Sequence, residues 1–185
     1  MDFPEKEETT MNTRKSILRL LAILVISAWV LGSAIQAGAE TMNYKLYTYV
    51  VKAESVPVGD VDGHYLYSMT RRSFLVFENG EVATERGVLT GEQTKESGAS
   101  FLRYTTITFS DGSTIVIKSQ GTTAGPGVLT PTASKRTDEI IRGTGRFEGI
   151  KGTGTIATKF FPVEKDEAGA RGIGEGSITY TYSSK

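Results

Sequence analysis

The sequence contains no cysteine, a single histidine and a single tryptophan. Without cysteine there is no structural disulfide, no thiolate nucleophile, no cysteine zinc site and no lipid-modified N-terminal cysteine. One imidazole leaves little from which to build a multi-histidine metal site, so neither metal nor cofactor is expected. Charge of neither sign prevails: 21 Lys and Arg stand against 21 Asp and Glu in 185 residues. That balance gives no reason to expect nucleic acid or an anionic membrane as a partner. Leucine is scarce beyond residue 39, with 6 in residues 40–185 against 21 threonines and 19 glycines. No window there carries a sustained apolar stripe at helical spacing, so helices are not expected to build the fold. The length suits one ordinary domain.

What is present begins with an address. Arg14, Lys15 and Arg19 precede an unbroken apolar stretch, Leu20 to Gly32, and small residues then lead to Ala37-Gly38-Ala39 before Glu40. A positive start, a short apolar run and an A-x-A-like exit are the three parts of a secretory signal, with cleavage expected between Ala39 and Glu40. Thirteen residues at about 1.5 Å each span roughly 20 Å, short of the roughly 30 Å of a hydrocarbon core, which disfavours an uncleaved anchor. The acidic head MDFPEKEETT sits badly before a positive start, and translation is expected to begin at Met11. Residues 1–39 thus read as a signal peptide, and the protein as exported, periplasmic or secreted, with no membrane partner after cleavage. The only tryptophan, Trp29, leaves with the signal. Lipocalin-like and avidin-like barrels, which place tryptophan on the first strand or in the ligand site, are disfavoured accordingly.

Residues 40–185 read as strands from end to end. Thr, Val, Ile and Tyr suit a pleated surface, and short runs of them recur between Gly, Asn, Asp and Pro. Two hairpins stand out: FLVFE-NG-EVAT around Asn79-Gly80 and TITFS-DG-STIVI around Asp111-Gly112, 32 residues apart. Each turn is expected to be type I′, with two positive φ angles. Strands are expected near 43–53, 64–77, 81–91, 100–110, 113–121, 134–142, 146–161 (one or two) and 171–183, with loops at 122–131 and 164–169. These consume the whole of residues 40–185, which therefore form one all-β domain. Phe74 to Phe77 is apolar on both faces, which suits a barrel covered outside by a second layer or subunit.

The run Gly143-Thr144-Gly145-Arg146-Phe147-Glu148-Gly149-Ile150-Lys151-Gly152 is not a phosphate cradle, since its spacing is wrong and no helix pattern follows. It resembles the G-[ST]-G-x-[FY]-x-G-x-x-G stretch of allene-oxide-cyclase-like barrels and, more distantly, the matching stretch of dirigent proteins. Val58-Gly59-Asp60-Val61-Asp62-Gly63-His64 is similar to the G-D-x-x-G turn before their second strand. The resemblance implies a single eight-stranded antiparallel barrel with an apolar interior, often trimeric, and gives Gly143, Gly145, Phe147, Gly149 and Gly152 a structural role. It transfers no catalytic residue. The cyclases carry an acidic residue on the first strand, where Tyr47-Thr48-Tyr49-Val50-Val51-Lys52 offers none, and their pocket cysteine has no counterpart.

Candidate chemistry is sparse. His64, beside Asp60 and Asp62, is either a proton shuttle or a hydrogen-bonded turn residue. No G-x-S-x-G elbow presents a serine to it. Asp60-x-Asp62-Gly63 begins like an EF-hand loop but has Tyr65 at the sixth position and Arg71 at the twelfth, which excludes that calcium site. Glu78, Glu81 and Glu85 flank the first hairpin; paired carboxylates can do glycosidase chemistry, yet at a hairpin tip such charges ordinarily keep an edge soluble. Tyr47, Tyr49, Tyr65, Tyr67, Tyr104 and Tyr180 fall on strands that a closed barrel brings round to one another. They either pack its wall or line an aromatic pocket whose phenols orient a ligand. The expected function is binding of a small apolar molecule inside the barrel. A cofactor-free isomerase or cyclase is the first alternative, and a filled, oligomeric structural barrel (a trimer by the resemblance) is the second.

Overall fold

The structure is a computed structural model that describes residues 38–95 and 98–183. All but the last two residues of the signal segment, and with them Met11, lie outside the described residues. Eight strands follow in order: β1 (Glu40–Pro57), β2 (Tyr65–Phe77), β3 (Val82–Thr94), β4 (Gly98–Phe109), β5 (Thr114–Ala124), β6 (Ala133–Thr144), β7 (Ile150–Phe160) and β8 (Gly172–Tyr182). Each pairs antiparallel with the next, and β8 pairs with β1, from Glu40↔Tyr180 to Thr48↔Gly172, closing the barrel. Closure leaves no free edge. The expected split of 146–161 is resolved as a 3-10 turn, Gly145–Phe147, followed by a single strand.

Alternation decides what fills the interior. Tyr67, Met69, Arg71, Ser73, Leu75 and Phe77 of β2 are buried while Phe74 and Val76 between them are exposed. Single extra residues, Val51 in β1 and Ile141 in β6, interrupt the register, and both side chains are exposed. Such bulges add local twist and bend, which a small barrel needs to close.

The two hairpin turns correct the type I′ expectation. Outside glycine no residue has a positive φ among the described residues, and only Gly80 (φ 83°) and Gly112 (φ 82°) of the two tips do. The Gly80 amide donates to the Phe77 carbonyl, and the Phe77 amide donates to Glu81. Phe109, Gly112 and Ser113 repeat this pattern. Both are three-residue loops in which a left-handed glycine closes a type I turn as a bulge. Asn79 and Asp111 serve as acceptors: Asn79 Oδ1 takes the Glu81 amide at 3.0 Å, and Asp111 Oδ1 takes that of Ser113 at 2.9 Å.

These turns set one end of the core. The strand residues that enter them, Phe77 and Phe109, point inward, and the turn at Gly145–Phe147 adds a third ring. Tyr44, Phe77, Phe109 and Phe147 form a ladder with centroids 5.5, 5.4 and 4.6 Å apart. Around it pack Leu46, Leu75, Ile107, Ile115, Ile117 and Ile178, sealing this end as a plug. Arg146 stacks over Phe109 and Phe147 from outside and pairs with Glu81. Tyr44 fits because its directly paired partner is Gly176, where any Cβ would meet the phenol ring.

The opposite end, the mouth, carries the longer connections. Segments 125–132 and 161–171 meet there through the hydrogen bond from the Ala170 amide to the Leu129 carbonyl, and they bury Val128 and Ala170.

Replacing Phe109 by Ala removes the middle of the aromatic ladder. It is expected to cost about 3–5 kcal/mol of stability, read as a lower urea midpoint with an unchanged slope. A loss under about 1 kcal/mol would show that the plug is not the main apolar core.

Candidate functional site

Between plug and mouth the barrel is charged, not apolar as the resemblance implied. The alternation that buries Leu75 and Phe77 also turns Arg71 and Ser73 of β2 inward. On the neighbouring strands it does the same for Glu85 of β3, Arg103 of β4, Ser119 of β5, and Arg136 and Asp138 of β6. Register brings them to one level: Ser73 lies opposite Glu85, Arg103 opposite Ser119, and Ser119 opposite Asp138. Gly87 leaves the room into which the Arg103 guanidinium settles.

Glu85 is the hub. Its Oε1 accepts from Ser73 Oγ at 2.8 Å and pairs with Arg103, while its Oε2 lies 3.5 Å from Arg136 Nη2. Arg136 Nε also donates to Asp138 Oδ1 at 2.9 Å. Complete burial by itself would push the Glu85 carboxyl up. The guanidiniums of Arg103 and Arg136 and the Ser73 hydroxyl outweigh it and hold the carboxyl below its ordinary value. For Arg136, burial is outweighed in the other direction by Asp138 and Glu85, and its pKa is raised.

Arg71 differs. Its Nε donates to Thr48 Oγ1 at 3.2 Å, its Nη2 donates to the Ala170 carbonyl at 2.8 Å, and its guanidinium stacks 5.0 Å from the Phe160 ring centre. No carboxylate among the described residues lies within ion-pair distance of it. Burial, reinforced by the neighbouring Arg103 and Arg136, brings its pKa down to about 9, so it is still charged at neutral pH. The layer also holds buried polar atoms without hydrogen-bond partners among the described residues: Glu85 Oε2, Arg103 Nε, Asp138 Oδ2, and the hydroxyls of Thr105 and Ser119.

Above this floor lies a cavity of about 30 Å³. Arg71, Arg103 and Arg136 face it from below, with Thr48 and Thr158 beside them. Leu46, Met69, Leu89 and Phe101 form its walls, and Val128, Pro131 and Phe160 its roof. The arrangement can hold and orient an anionic or strongly accepting group. Glu85, ionised between two guanidiniums, is a poor proton acceptor.

The tyrosines do not converge. Tyr47, Tyr49 and Tyr104 lie on the outer face, 51%, 43% and 48% exposed, and Tyr65 sits exposed where β2 begins. Tyr67 and Tyr180 are buried but at opposite ends: Tyr67 donates to the Ser100 carbonyl near the mouth, Tyr180 to Glu40 beside the plug. Only Tyr67 touches the cavity. Parity is the reason, since Tyr44, Leu46, Thr48 and Val50 take the inward positions of β1 and leave Tyr47 and Tyr49 outside.

His64 does not line the cavity either. Its Nδ1 is 2.7 Å from Asp60 and its Nε2 2.9 Å from Glu92, so it clamps the β1–β2 turn to β3, and the ion pair between Lys95 and Asp62 adds to the clamp. The hydrogen bond to Asp60 raises its pKa. Glu78 and Glu81 are at the surface, bonded to Asn43 and Arg146. Glu85, grouped with them by sequence, is the buried hub. The glycine-rich run shapes the plug: Gly145 and Gly149 have φ of 63° and 78°, and Gly143 and Gly152 pass against backbone carbonyls.

No family model and no curated protein matches the chain. Among solved structures, the barrel is similar to the pterocarpan synthase dirigent protein PsPTS1. The identity is 19% and the TM-score 0.49, over 80% of this chain and 97% of that one. It is similar also to the pterocarpan synthase dirigent protein GePTS1, at 19% identity and TM-score 0.49, over 79% of this chain and 92% of that one. The likeness is to dirigent barrels. No residue role passes from the dirigent structures to this chain.

Glu85→Gln keeps the volume of the hub and removes its charge, leaving Arg103 with no carboxylate. The expected loss is about 3–5 kcal/mol at pH 7, measured by urea unfolding. Because the folded carboxyl is held low, its contribution is complete above the ordinary value of 4.5 and is lost as pH falls through the folded value. As pH falls from 4.5 to the folded value the native protein is expected to lose stability more steeply than E85Q, and parallel curves over that range would contradict the hub.

Proposed function

We propose that the protein is an exported barrel that binds one small, largely apolar molecule in the mouth-side half of its interior and does no covalent chemistry itself. The observation that carries this is the cavity, with a charged floor, an apolar wall and a roof made of two loops. Buried ion layers are expensive, and a fold seeking stability alone does as well with aliphatic side chains of similar volume. As it stands the space holds about one water molecule, so a ligand enters by displacing the roof. One hydrogen bond joins the two roof loops, Ala170 to Leu129; Ala170 to Arg71 and the Val128 amide to Gln93 at 2.6 Å tie them to the wall, and the amides of Thr132, Phe160 and Phe161 close their bases. The ionised, doubly paired Glu85 favours binding over the isomerase alternative. Export rests on the signal pattern in residues 1–39.

Purified protein incubated with a total lipid extract, washed and examined by native mass spectrometry, is expected to retain one small molecule per chain. Val128→Trp, which fills the space under the roof, is expected to abolish this. A native barrel that stays as empty as V128W means a filled, structural interior.

The outer wall supports self-association as a second part of the proposal. Tyr47 lies directly between Phe74 and Ile173, and Val76 opposite Val82, a contiguous exposed apolar face across four strands, β8-β1-β2-β3. Faces of this kind mark protein contacts. Sedimentation velocity is expected to show a discrete homo-oligomer, a trimer by the resemblance, that falls to monomer in Phe74→Glu. A native monomer at micromolar concentration overturns it.

A further inference from the structure

We propose that the cavity is an anion subsite that takes the carboxylate of a small monocarboxylic ligand, with Arg71 as its counter-ion. This rests on the ligand-binding reading above and names the chemistry of the end that enters first. Among the described residues the buried layer holds three guanidiniums, Arg71, Arg103 and Arg136, against two carboxylates, Glu85 and Asp138. Arg103 and Arg136 are both paired, so the surplus positive charge belongs to Arg71. Its partners are a threonine hydroxyl, a backbone carbonyl and an aromatic ring, all uncharged. A buried charge in that position is stabilised most by an ion of opposite sign.

Three features narrow the ion. A surplus of one matches a monoanion; a phosphate dianion would leave the layer negative beside Glu85 and Asp138, and a cation would meet Arg71. Guanidinium presents parallel N–H groups that suit the two oxygens of a carboxylate. A space of about 30 Å³ admits a head group and no more, so the body of the ligand lies against Leu89, Phe101 and the place now taken by Val128. Those surfaces are apolar, which makes the ligand an organic acid with an uncharged, largely apolar remainder. The acid enters head first, toward Arg71, and takes over the guanidinium N–H that now holds the roof at Ala170.

The test is titration calorimetry on the intact protein with benzoate and hexanoate, their neutral isosteres benzamide and hexanamide, and inorganic phosphate. Each carboxylate is expected to bind at least tenfold more tightly than its amide, and phosphate more weakly than either acid. In Arg71→Met the acid-to-amide ratio is expected to fall to near one, and in Arg71→Lys to remain above one. Equal binding of acid and amide by the native protein overturns the anion subsite and leaves the ligand-binding reading standing. So does an unchanged ratio in R71M. If none of the five probes binds, the subsite falls; the lipid-extract experiment decides separately whether the barrel binds any ligand. The native acid-to-amide ratio stands as the test should R71M not fold.

Discussion

In a closed ring of eight strands every second residue must go inside, into a space that side chains just fill. That constraint operates on polar and apolar residues alike. In β2 it takes Leu75 and Phe77 into the plug, and by the same count it takes Ser73 and Arg71 into the middle. Once Arg103 and Arg136 are drawn in, Glu85 and Asp138 offset the cost of burying them, while Arg71 is held by uncharged partners. The pairing around Glu85 is therefore a main support of the closed barrel with this sequence.

The interior is stratified as a consequence. Aromatic rings and isoleucines occupy the plug end, salt-bridged groups the waist, and a mixed cavity the mouth. Glycine is used as the complement of large side chains rather than only as a turn residue. Gly176 accommodates the Tyr44 phenol, Gly87 the Arg103 guanidinium, and Gly91 the ring of Tyr67, each on a neighbouring strand. Nineteen glycines in residues 40–185 look, as composition, like floppiness. In the barrel Gly87, Gly91 and Gly176 are instead spaces that large inward side chains fill.

The succession of strands and the hairpin positions were legible in the sequence because they rest on local signals: apolar runs, Asn-Gly and Asp-Gly tips, and the glycine-rich turn. Those signals left 146–161 as one strand or two, and the count of eight came from the resemblance. The turn type was not, because Asn79 and Asp111 are acceptors here and do not themselves adopt positive φ. The site was missed for a different reason. Its members are single residues on different strands, and nothing near Arg103 in sequence marks it as the partner of Glu85, 18 positions away. A usable signal was nevertheless present. Counting by twos from Leu75 and Phe77 reaches Arg71, and from Ile107 and Phe109 it reaches Arg103. The tyrosines misled because aromaticity was read without that count, which puts Tyr47 and Tyr49 outside.

The two ends of the barrel differ in a way that bears on where a ligand can enter. At the plug end the connections are tight turns, the rings beneath them are stacked, and Arg146 covers them from outside. The first and last strands also meet there, with Glu40 bonded to Tyr180. At the mouth the connections are longer: the β1–β2 turn is clamped to β3, but segments 125–132 and 161–171 are joined to each other by one hydrogen bond. Local opening is cheapest where buried contacts and backbone bonds are fewest. A plug held by four aromatic rings and a roof held by a few donors cannot open with equal ease. The roof is expected to give first, and what it covers is the side of the charged waist on which Arg71 has no carboxylate partner among the described residues.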